Sequence, residues 1–490
     1  MPRQDFPHTI LVANRGEIAM RVMRAARALG HAAVAVYTAS DRRSGHVRLA
    51  RELARAAGAD PACAALRIGS YQDDNEIFAV ADACGATAVH PGYGFFAEDF
   101  RFARRAVTRD RPLVFIGPSW WVIRDLGDKI STKRLARSLA VPTIPGSDRP
   151  IYDELEAEEM AASLFAFQAE QGIPRGTVLV KASAGGGGMG IEEVHDMDLF
   201  RRVLRRVRSY AKRQWGDEGV LIEQRIFGFN HLEVQILGDR EGEAAVHFGT
   251  RNCSVQSPGR QKRIEAAPGF VPAEVAYAFD ARAVLEQITN HSLAMAQQVG
   301  YDSAGTWEWI VTPRGEPFLM EVNTRIQVEN GVSGAIARLR GRAADHGGAG
   351  VDLIREQIRL ALAPAGETGL GYGQDDLDFE GVAVEYRLLA EDPAQGFRPW
   401  LGTVERFAWA PADWLTVHTH VPQDRPYEIP VEFDPNLALG IDRGRDLAEA
   451  KARGDAFLAS EELSGRDAAG RPLVSNVAWL REKNRNLLEF

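Results

Sequence analysis

The chain has 490 residues, 45% hydrophobic, 26% charged and 8% aromatic, with 58 Lys and Arg against 67 Asp and Glu for a formal net charge of −9. This length suits about three domains with buried cores, and the composition excludes intrinsic disorder, a fibrous chain and a surface built throughout to bind nucleic acid or anionic lipid. The three cysteines, Cys63, Cys84 and Cys253, show no CxxC spacing, there is no signal-peptide run after Met1, and no apolar stretch reaches roughly 18 residues, so a cytoplasmic chain that engages neither membrane nor nucleic acid is expected.

From the N-terminus, Thr9 to Ala13, a helical stretch through Ile18, Met20, Val22 and Met23, and the apolar run Ala32 to Tyr37 read as strand, helix, strand. Thr87 to His90 and Leu113 to Gly117 add short buried strands at α/β spacing, so an open doubly wound α/β domain is expected over 1–120. Residues 119–140 read as helix and Val141 to Ser147 as a Pro/Gly-punctuated connection, which makes 121–147 a helical linker. An acidic helix, the strand Thr177 to Lys181, a glycine run, a basic helix and the strand Val220 to Glu223 make 148–225 a small α+β unit. The basic helix, Arg201 to Arg213, sets Val203, Leu204, Val207 and Tyr210 opposite its charges, as a solvated amphipathic helix does. Beyond it lie a β-rich stretch with a helix near 351–363, taken as 226–380, and a strand-rich tail over 381–490.

Two segments carry chemistry. In Lys181-Ala182-Ser183-Ala184-Gly185-Gly186-Gly187-Gly188-Met189-Gly190 the glycines formally satisfy GxGxxG, but Ile191 to Val194 reads as a second strand rather than a helix, so a glycine-rich hairpin is expected. Backbone N–H groups of such a loop can close over phosphates, with Lys181 as a point charge. In the second segment, apolar runs flank Arg314-Gly315, and a two-residue type I′ turn there would set Glu308 opposite Glu321 with Asn323 on the same face. Facing carboxylates destabilise a sheet unless a cation lies between them, and two carboxylates with an amide suit Mg²⁺. The polar face then continues at period two through Arg325, Gln327 and Glu329, where an arginine beside a carboxylate, with Lys262 elsewhere, could bind a small anion and take its proton.

These residues resemble the biotin carboxylase family, ATP-grasp ligases that form one component of biotin-dependent carboxylases. The likeness runs through Ala13-Asn14-Arg15-Gly16-Glu17-Ile18-Ala19, His90-Pro91-Gly92-Tyr93-Gly94-Phe95, Phe115 to Pro118 with Gly127-Asp128-Lys129, the glycine loop, Cys253-Ser254-Val255-Gln256, and the specific run Glu321-Val322-Asn323-Thr324-Arg325-Ile326-Gln327-Val328-Glu329. Val384 to Arg387, Ala390-Glu391-Asp392, Phe433-Asp434-Pro435 and Ser475-Asn476-Val477 resemble the closing motifs. The resemblance implies an ATP-grasp fold with a small mobile lid and a β-rich C-terminal domain, and ATP held between them. Lys129, Lys181 and the lid glycines Gly186, Gly187 and Gly188 would lie on its phosphates, Glu223 to Ile226 on the adenine, and His231 and Gln256 against the nucleotide. Glu308, Glu321 and Asn323 would hold Mg²⁺ (or Mn²⁺). Lys262, Arg325, Gln327 and Val328 would position bicarbonate for Glu329 to deprotonate, and Arg387 and Tyr93 would serve biotin.

Departures from the family pattern fall beside these positions. The segment Gln256 to Lys262 is one residue longer with Arg260 near the place of a histidine, Met189 replaces a basic lid residue, Asn330 a histidine, Leu439 a lysine and Ala28 an interface glutamate, and 338–350 is inserted. With the chemical residues kept, an active enzyme is expected. No Met-Lys-Met site occurs, so biotin is expected on a separate biotin carboxyl carrier protein, with carboxyltransferase subunits as further partners in a homodimer or larger complex. Another ATP-grasp ligase that passes an activated carboxylate to an amine, and a non-catalytic scaffold, are the competing readings.

Overall fold

The computed structural model describes residues 6–173, 175–183, 190–259, 261–341, 350–364 and 366–489. Gly186, Gly187, Gly188, Met189, Arg260 and most of the 338–350 insertion lie outside these. The chain divides into two compact units, Met1–Gly127, Asn230–Glu308 and Val322–Phe490 forming the first and Asp128–Phe229 with Trp309–Glu321 the second.

In the first unit Thr9–Val12 lies at the centre of a parallel sheet between Ala32–Tyr37 and Ala88–His90, with Ala65–Arg67 and Val114–Phe115 at the edges. This is the doubly wound arrangement expected from the apolar runs, plus one edge strand of three residues too short to show a pattern. Aspartates start two of its helices: Asp73 accepts from the N–H groups of Asn75 and Glu76, and Asp99 from those of Arg101 and Phe102, which supplies partners for first-turn donors. The loop after Ala88–His90 is pinned by Asn14, whose Nδ2 donates to the carbonyls of Pro91 (2.6 Å) and Tyr93 (2.8 Å). Gly92 between them has φ 65°, and a Cβ there would stand 2.8 Å from Asn14 Nδ2. Asn14 and Gly92 therefore work as a pair, one supplying donors and the other making room.

The second sheet is antiparallel in the order Asn230–Gly238, Ala245–Gln256, Lys262–Ala267, Val382–Leu389, Asn436–Gly444, Leu415–His418, with the hairpin Ala304–Val311 and Pro317–Asn323 beyond Asn230–Gly238. One sheet is thus built from the β-rich stretch and the strand-rich tail together. Asn230–Gly238 is buried at every position, so its polar residues His231, Glu233 and Gln235 form a stripe inside the protein.

The second unit has its own core. Val178–Ala182 pairs with Ile191–Val194 and Val220–Gln224, and Val178, Val180 and Ile222 pack with Phe200, Leu204 and Val207 of the helix Met197–Trp215. The outer face of that helix is tied by ion pairs of Arg201 to Glu158, Arg205 to Glu154 and Arg206 to Glu192, as an amphipathic surface helix requires. The expected helix over 119–140 is two, Trp120–Gly127 and Lys129–Ser138, separated where Asp128 accepts from the Ser131 N–H at 2.9 Å.

Two local expectations are corrected. The turn after Ala304–Val311 is closed by Gly315 N–H to Thr312 O (2.9 Å) and Thr312 N–H to Glu316 O (3.0 Å), with Gly315 at φ 83°. Thr312 therefore stands opposite Glu316 across a three-residue loop, and the two-residue register that matched Glu308 with Glu321 does not form. Pro313, with its fixed φ, suits the second position of this turn, and Gly315 takes the left-handed position that ends it. The strand Pro317–Asn323 also ends earlier than its polar alternation suggests. Glu329 is the N-cap of the short helix Asn330–Ile336, and Asn330 Nδ2 bonds the Gln327 carbonyl at 2.7 Å. The polar face at 325–329 is therefore a loop folded on itself.

Candidate active site

The buried stripe of the first unit gathers most of the expected site residues around one ammonium. Lys262 Nζ donates to Glu308 Oε1 (3.1 Å), to Glu329 Oε1 (2.9 Å) and to Glu233 Oε1. Burial alone would lower the lysine's pKa, but Glu233, Glu308 and Glu329 outweigh it and hold the group well above the ordinary lysine range. The carboxylates respond in kind. Burial favours the neutral form of Glu308, yet Lys262 and His231 hold it below the usual carboxylate range. Glu329, pushed up by burial and by Glu233, is held down by Lys262, Arg387 and Arg251. It is ionised at neutral pH and therefore able to accept a proton.

Each neighbour has a definite job. Arg251 grips Glu233 Oε2 through Nε (3.0 Å) and Nη2 (2.8 Å) and reaches Gln235 Oε1 at 2.8 Å, so that Glu233 turns its other oxygen to Lys262. Gln256 Nε2 donates to His231 Nδ1 (2.9 Å), which places the ring proton on Nε2, 3.0 Å from Glu308 Oε2. Glu308 Oε1 also accepts from Asn323 Nδ2 (2.8 Å) and Gln327 Nε2 (3.0 Å). Arg325 bridges Glu98 Oε2 (2.8 Å), Gln327 Oε1 (2.8 Å) and Asn323 Oδ1 (3.2 Å). Val328 is half-buried beside Glu329.

On the other side of Glu329, Arg387 Nη2 donates to Oε2 at 3.0 Å, so each oxygen of this carboxylate faces one cation. The same Nη2 lies 2.5 Å from Glu265. Tyr93 donates its hydroxyl to Glu17, whose carboxyl burial pushes up despite Arg21, that hydrogen bond and Arg387. Asn330, where the family pattern has histidine, accepts from Arg21 Nη2 at 2.6 Å, and Leu439, where it has lysine, is fully buried opposite Arg387 in the sheet. Asn330 thus has a hydrogen-bond partner, and Leu439 adds no charge beside Arg387.

The remaining described site residues belong to the second unit. Lys181 and Lys133 both donate to Glu223, and although burial would raise that carboxyl, the two ammonium groups hold it at about 2. Lys129 Nζ lies 3.6 Å from Glu321 Oε2. Ile226 is buried with Ile144 and Ile310, beside half-buried Phe229, Phe318 and Met320.

Residues 7–123 match the biotin carboxylase N-terminal domain, 128–366 the ATP-binding domain of the carbamoyl-phosphate synthase L chain, and 385–478 the biotin carboxylase C-terminal domain. The chain is 37% identical over 96% of its length to the 2-oxoglutarate carboxylase small subunit of Hydrogenobacter thermophilus, of which it covers 89%. The chain belongs to the biotin carboxylase family. It is also 37% identical to the biotin carboxylase of Nostoc sp. over 90% of this chain and 88% of that one. Among solved biotin carboxylases, the domain dimer of H. thermophilus 2-oxoglutarate carboxylase in complex with MgADP, ADP and bicarbonate superposes with TM-score 0.81 at 33% identity, covering 98% of this chain and 94% of that one. The β-γ-ATP complex of the Campylobacter jejuni biotin carboxylase follows at TM-score 0.80 and 27% identity, covering 98% and 95%.

Sequence reasoning passed over several residues of this biotin carboxylase site. Glu233 and Gln235 alternate with Leu232, Val234 and Ile236, the same period-two polar signal that picked out Asn323, and could have been found by it. Lys133, Glu17 and Arg251 carry no such mark, since a single charged residue on a helix or strand is ordinarily at the surface.

Proposed function

We propose that this chain carboxylates biotin with ATP and bicarbonate, the biotin being carried on a separate carrier protein, as the first half-reaction of a biotin-dependent carboxylase. The observation that carries the reading is Glu329, fully buried with one carboxylate oxygen bonded to Lys262 and the other to Arg387. A carboxylate so placed accepts the bicarbonate proton, while Lys262, Arg325 and Gln327 orient the anion for attack on the γ-phosphate to give ADP and carboxyphosphate. Carboxyphosphate then breaks down to CO₂ and phosphate, the phosphate takes the ureido N–H proton of biotin, Arg387 stabilises the resulting oxyanion near Tyr93, and the ureido nitrogen adds to the CO₂. Carboxybiotin is the product.

The donor set fits a hard divalent cation. Glu308 is kept ionised by Lys262 and His231, and Asn323 adds an amide oxygen. With Glu321 these residues would hold Mg²⁺, which when bound neutralises phosphate charge. Lys129 and Lys181 would meet the nucleotide's phosphates, Lys181 exchanging Glu223 for them, with Gly186, Gly187 and Gly188 closing over them and Glu223 and Ile226 bordering the base; His231 and Gln256 would contact the nucleotide. Relatives are named as carboxylase subunits or chains; a carrier protein and carboxyltransferase would be this chain's partners, in a homodimer or larger complex.

The test is Mg²⁺-dependent ADP release with bicarbonate, with and without free biotin, on the native chain and on Glu329→Ala. Turnover that rises with biotin and collapses in the variant is expected. Turnover indifferent to biotin would indicate a different ligase, and ATP binding without turnover a scaffold.

A further inference from the structure

Asn476 stands at the N-cap of the helix Val477–Asn484, where an asparagine ordinarily accepts from the helix's own N–H groups, yet its side chain caps nothing. It is fully buried, and its side chain bonds only to the segment from Arg387 to Glu391. Its Oδ1 accepts from Leu389 N–H (3.0 Å), its Nδ2 donates to Arg387 O (2.9 Å) and Glu391 Oε1 (3.1 Å), and its N–H donates to Leu389 O (3.1 Å). Here Val382–Leu389 slips in its pairing with Asn436–Gly444, between Leu388 and Leu389.

Glu391 completes the connection. Its carboxylate accepts Arg263 Nε and Nη2, both at 2.7 Å, in a buried two-pronged pair, while Arg263 Nη1 donates to Lys262 O at 3.0 Å. The ladder between Lys262–Ala267 and Val382–Leu389 runs from Ala267 opposite Ala383 to Ile264 opposite Tyr386. Just past its end, the Asn476, Glu391 and Arg263 side chains take over, joining the main-chain carbonyls of Lys262 and Arg387. Those two residues are the cations on the two oxygens of Glu329.

We propose that Asn476, Glu391 and Arg263 form a positioning bridge that sets the spacing of Lys262 and Arg387 about Glu329. None of the three touches the Glu329 carboxylate; they act by fixing the backbone from which the two cations project. The inference rests on the carboxylation reading for its kinetic consequence, since a cation displaced by about 1 Å costs turnover rather than nucleotide affinity.

Two variants of the full chain separate positioning from mere support. Asn476→Ser keeps an oxygen able to cap its own helix but is too short to hold Arg387. The double variant Arg263→Leu with Glu391→Leu removes a buried ion pair whole, an exchange that leaves stability near native because no charge is stranded. Expected for both are native-like thermal melts, a kcat for biotin-stimulated ADP release lower by about 10- to 100-fold, and a KM for ATP within about twofold of native. Folded variants with native kcat would overturn the bridge, as would a kcat that falls only with the folded fraction. A crystal structure of the double variant reads the geometry whatever the turnover: Arg387 Nη2 leaving its 3.0 Å contact with Glu329 Oε2 supports the bridge, and an unmoved guanidinium overturns it. A native chain that releases no ADP with bicarbonate would overturn the carboxylation reading alone.

Discussion

Two groups of buried carboxyls lie in the same antiparallel sheet and behave in opposite ways. Around Lys262, Glu233 and Glu308 are fully desolvated but held below the ordinary carboxylate range, because Lys262 leads the cations that outweigh burial in each. Further along the strand of Lys262, Glu265 stands directly opposite Glu385 across Lys262–Ala267 and Val382–Leu389. Among the described residues no donor reaches the Glu385 carboxyl oxygens, and Arg387, whose Nη2 lies 2.5 Å from Glu265 Oε1, is the one cation in contact with Glu265. Burial raises Glu265 to about 7 and Glu385 well above its ordinary value. Depth in the protein does not decide the charge of a carboxyl; the cations within reach do. The first group is a set of anions tied to one lysine, whereas burial shifts the second toward its protonated form.

The contrast breaks most sharply at Lys262. Replacing it by methionine leaves three buried carboxyls facing one another, and a loss of about 3–5 kcal/mol in unfolding free energy is expected, together with loss of bicarbonate-dependent ADP release. Guanidinium titration and ADP assay read the two effects. A stability within error of native would show that the lysine does not bind the cluster together.

Glu265→Gln tests the proton-holding pair. A carboxyl whose folded pKa is raised contributes stability that is complete below about pH 4.5 and is lost as pH climbs through about 7. The glutamine variant lacks that loss, so its denaturation midpoint should gain on the native protein between those values and stay ahead above them, by up to about 3 kcal/mol. A gap that does not change between pH 5 and pH 8 would place the proton elsewhere.

The second unit repeats the first arrangement on a smaller scale. Glu223, held at about 2 after burial is outweighed by Lys181 and Lys133, contributes stability above its ordinary pKa of 4.5 that disappears as pH falls toward 2. In Lys133→Met one of its two cations remains, and a loss of about 1–2 kcal/mol at neutral pH with a flatter acid limb is expected in urea titrations. The smallest effect belongs to Arg206→Ala on the exposed face of Met197–Trp215, where the pair with Glu192 is open to solvent and salt. Its denaturation midpoint should match the native one, and a measurable drop would mean that surface pairs count for more here than buried ones suggest.

Local chemistry was legible wherever a period or a turn residue reported it. The parallel sheet showed in its apolar runs, the lid hairpin in its glycines and the strand after them, and the amphipathic helix in its spacing. The Mg²⁺ set was reached by a hairpin register that is one residue out, and the names Glu308, Glu321 and Asn323 stand on the family resemblance instead. That failure has a plain cause: Thr312-Pro313-Arg314-Gly315 can end a strand in a two- or a three-residue loop, and hydrogen bonds choose between them. The loop at 325–329 alternates like a strand because its polar groups converge on one lysine, not because it is extended.

The sequence by itself determined most of the segments that fold as strands and helices, which residue types the site has, and the family to which they belong, since these follow from periodicity, turn chemistry and contiguous motifs. Only the tertiary structure decided that Lys262 sits among Glu233, Glu308 and Glu329, that Glu265 faces Glu385, and that Asn476 reaches back to Arg387. Each of these joins residues tens to hundreds of positions apart through strand order and register, and a buried charge has no defined protonation until those neighbours are in place.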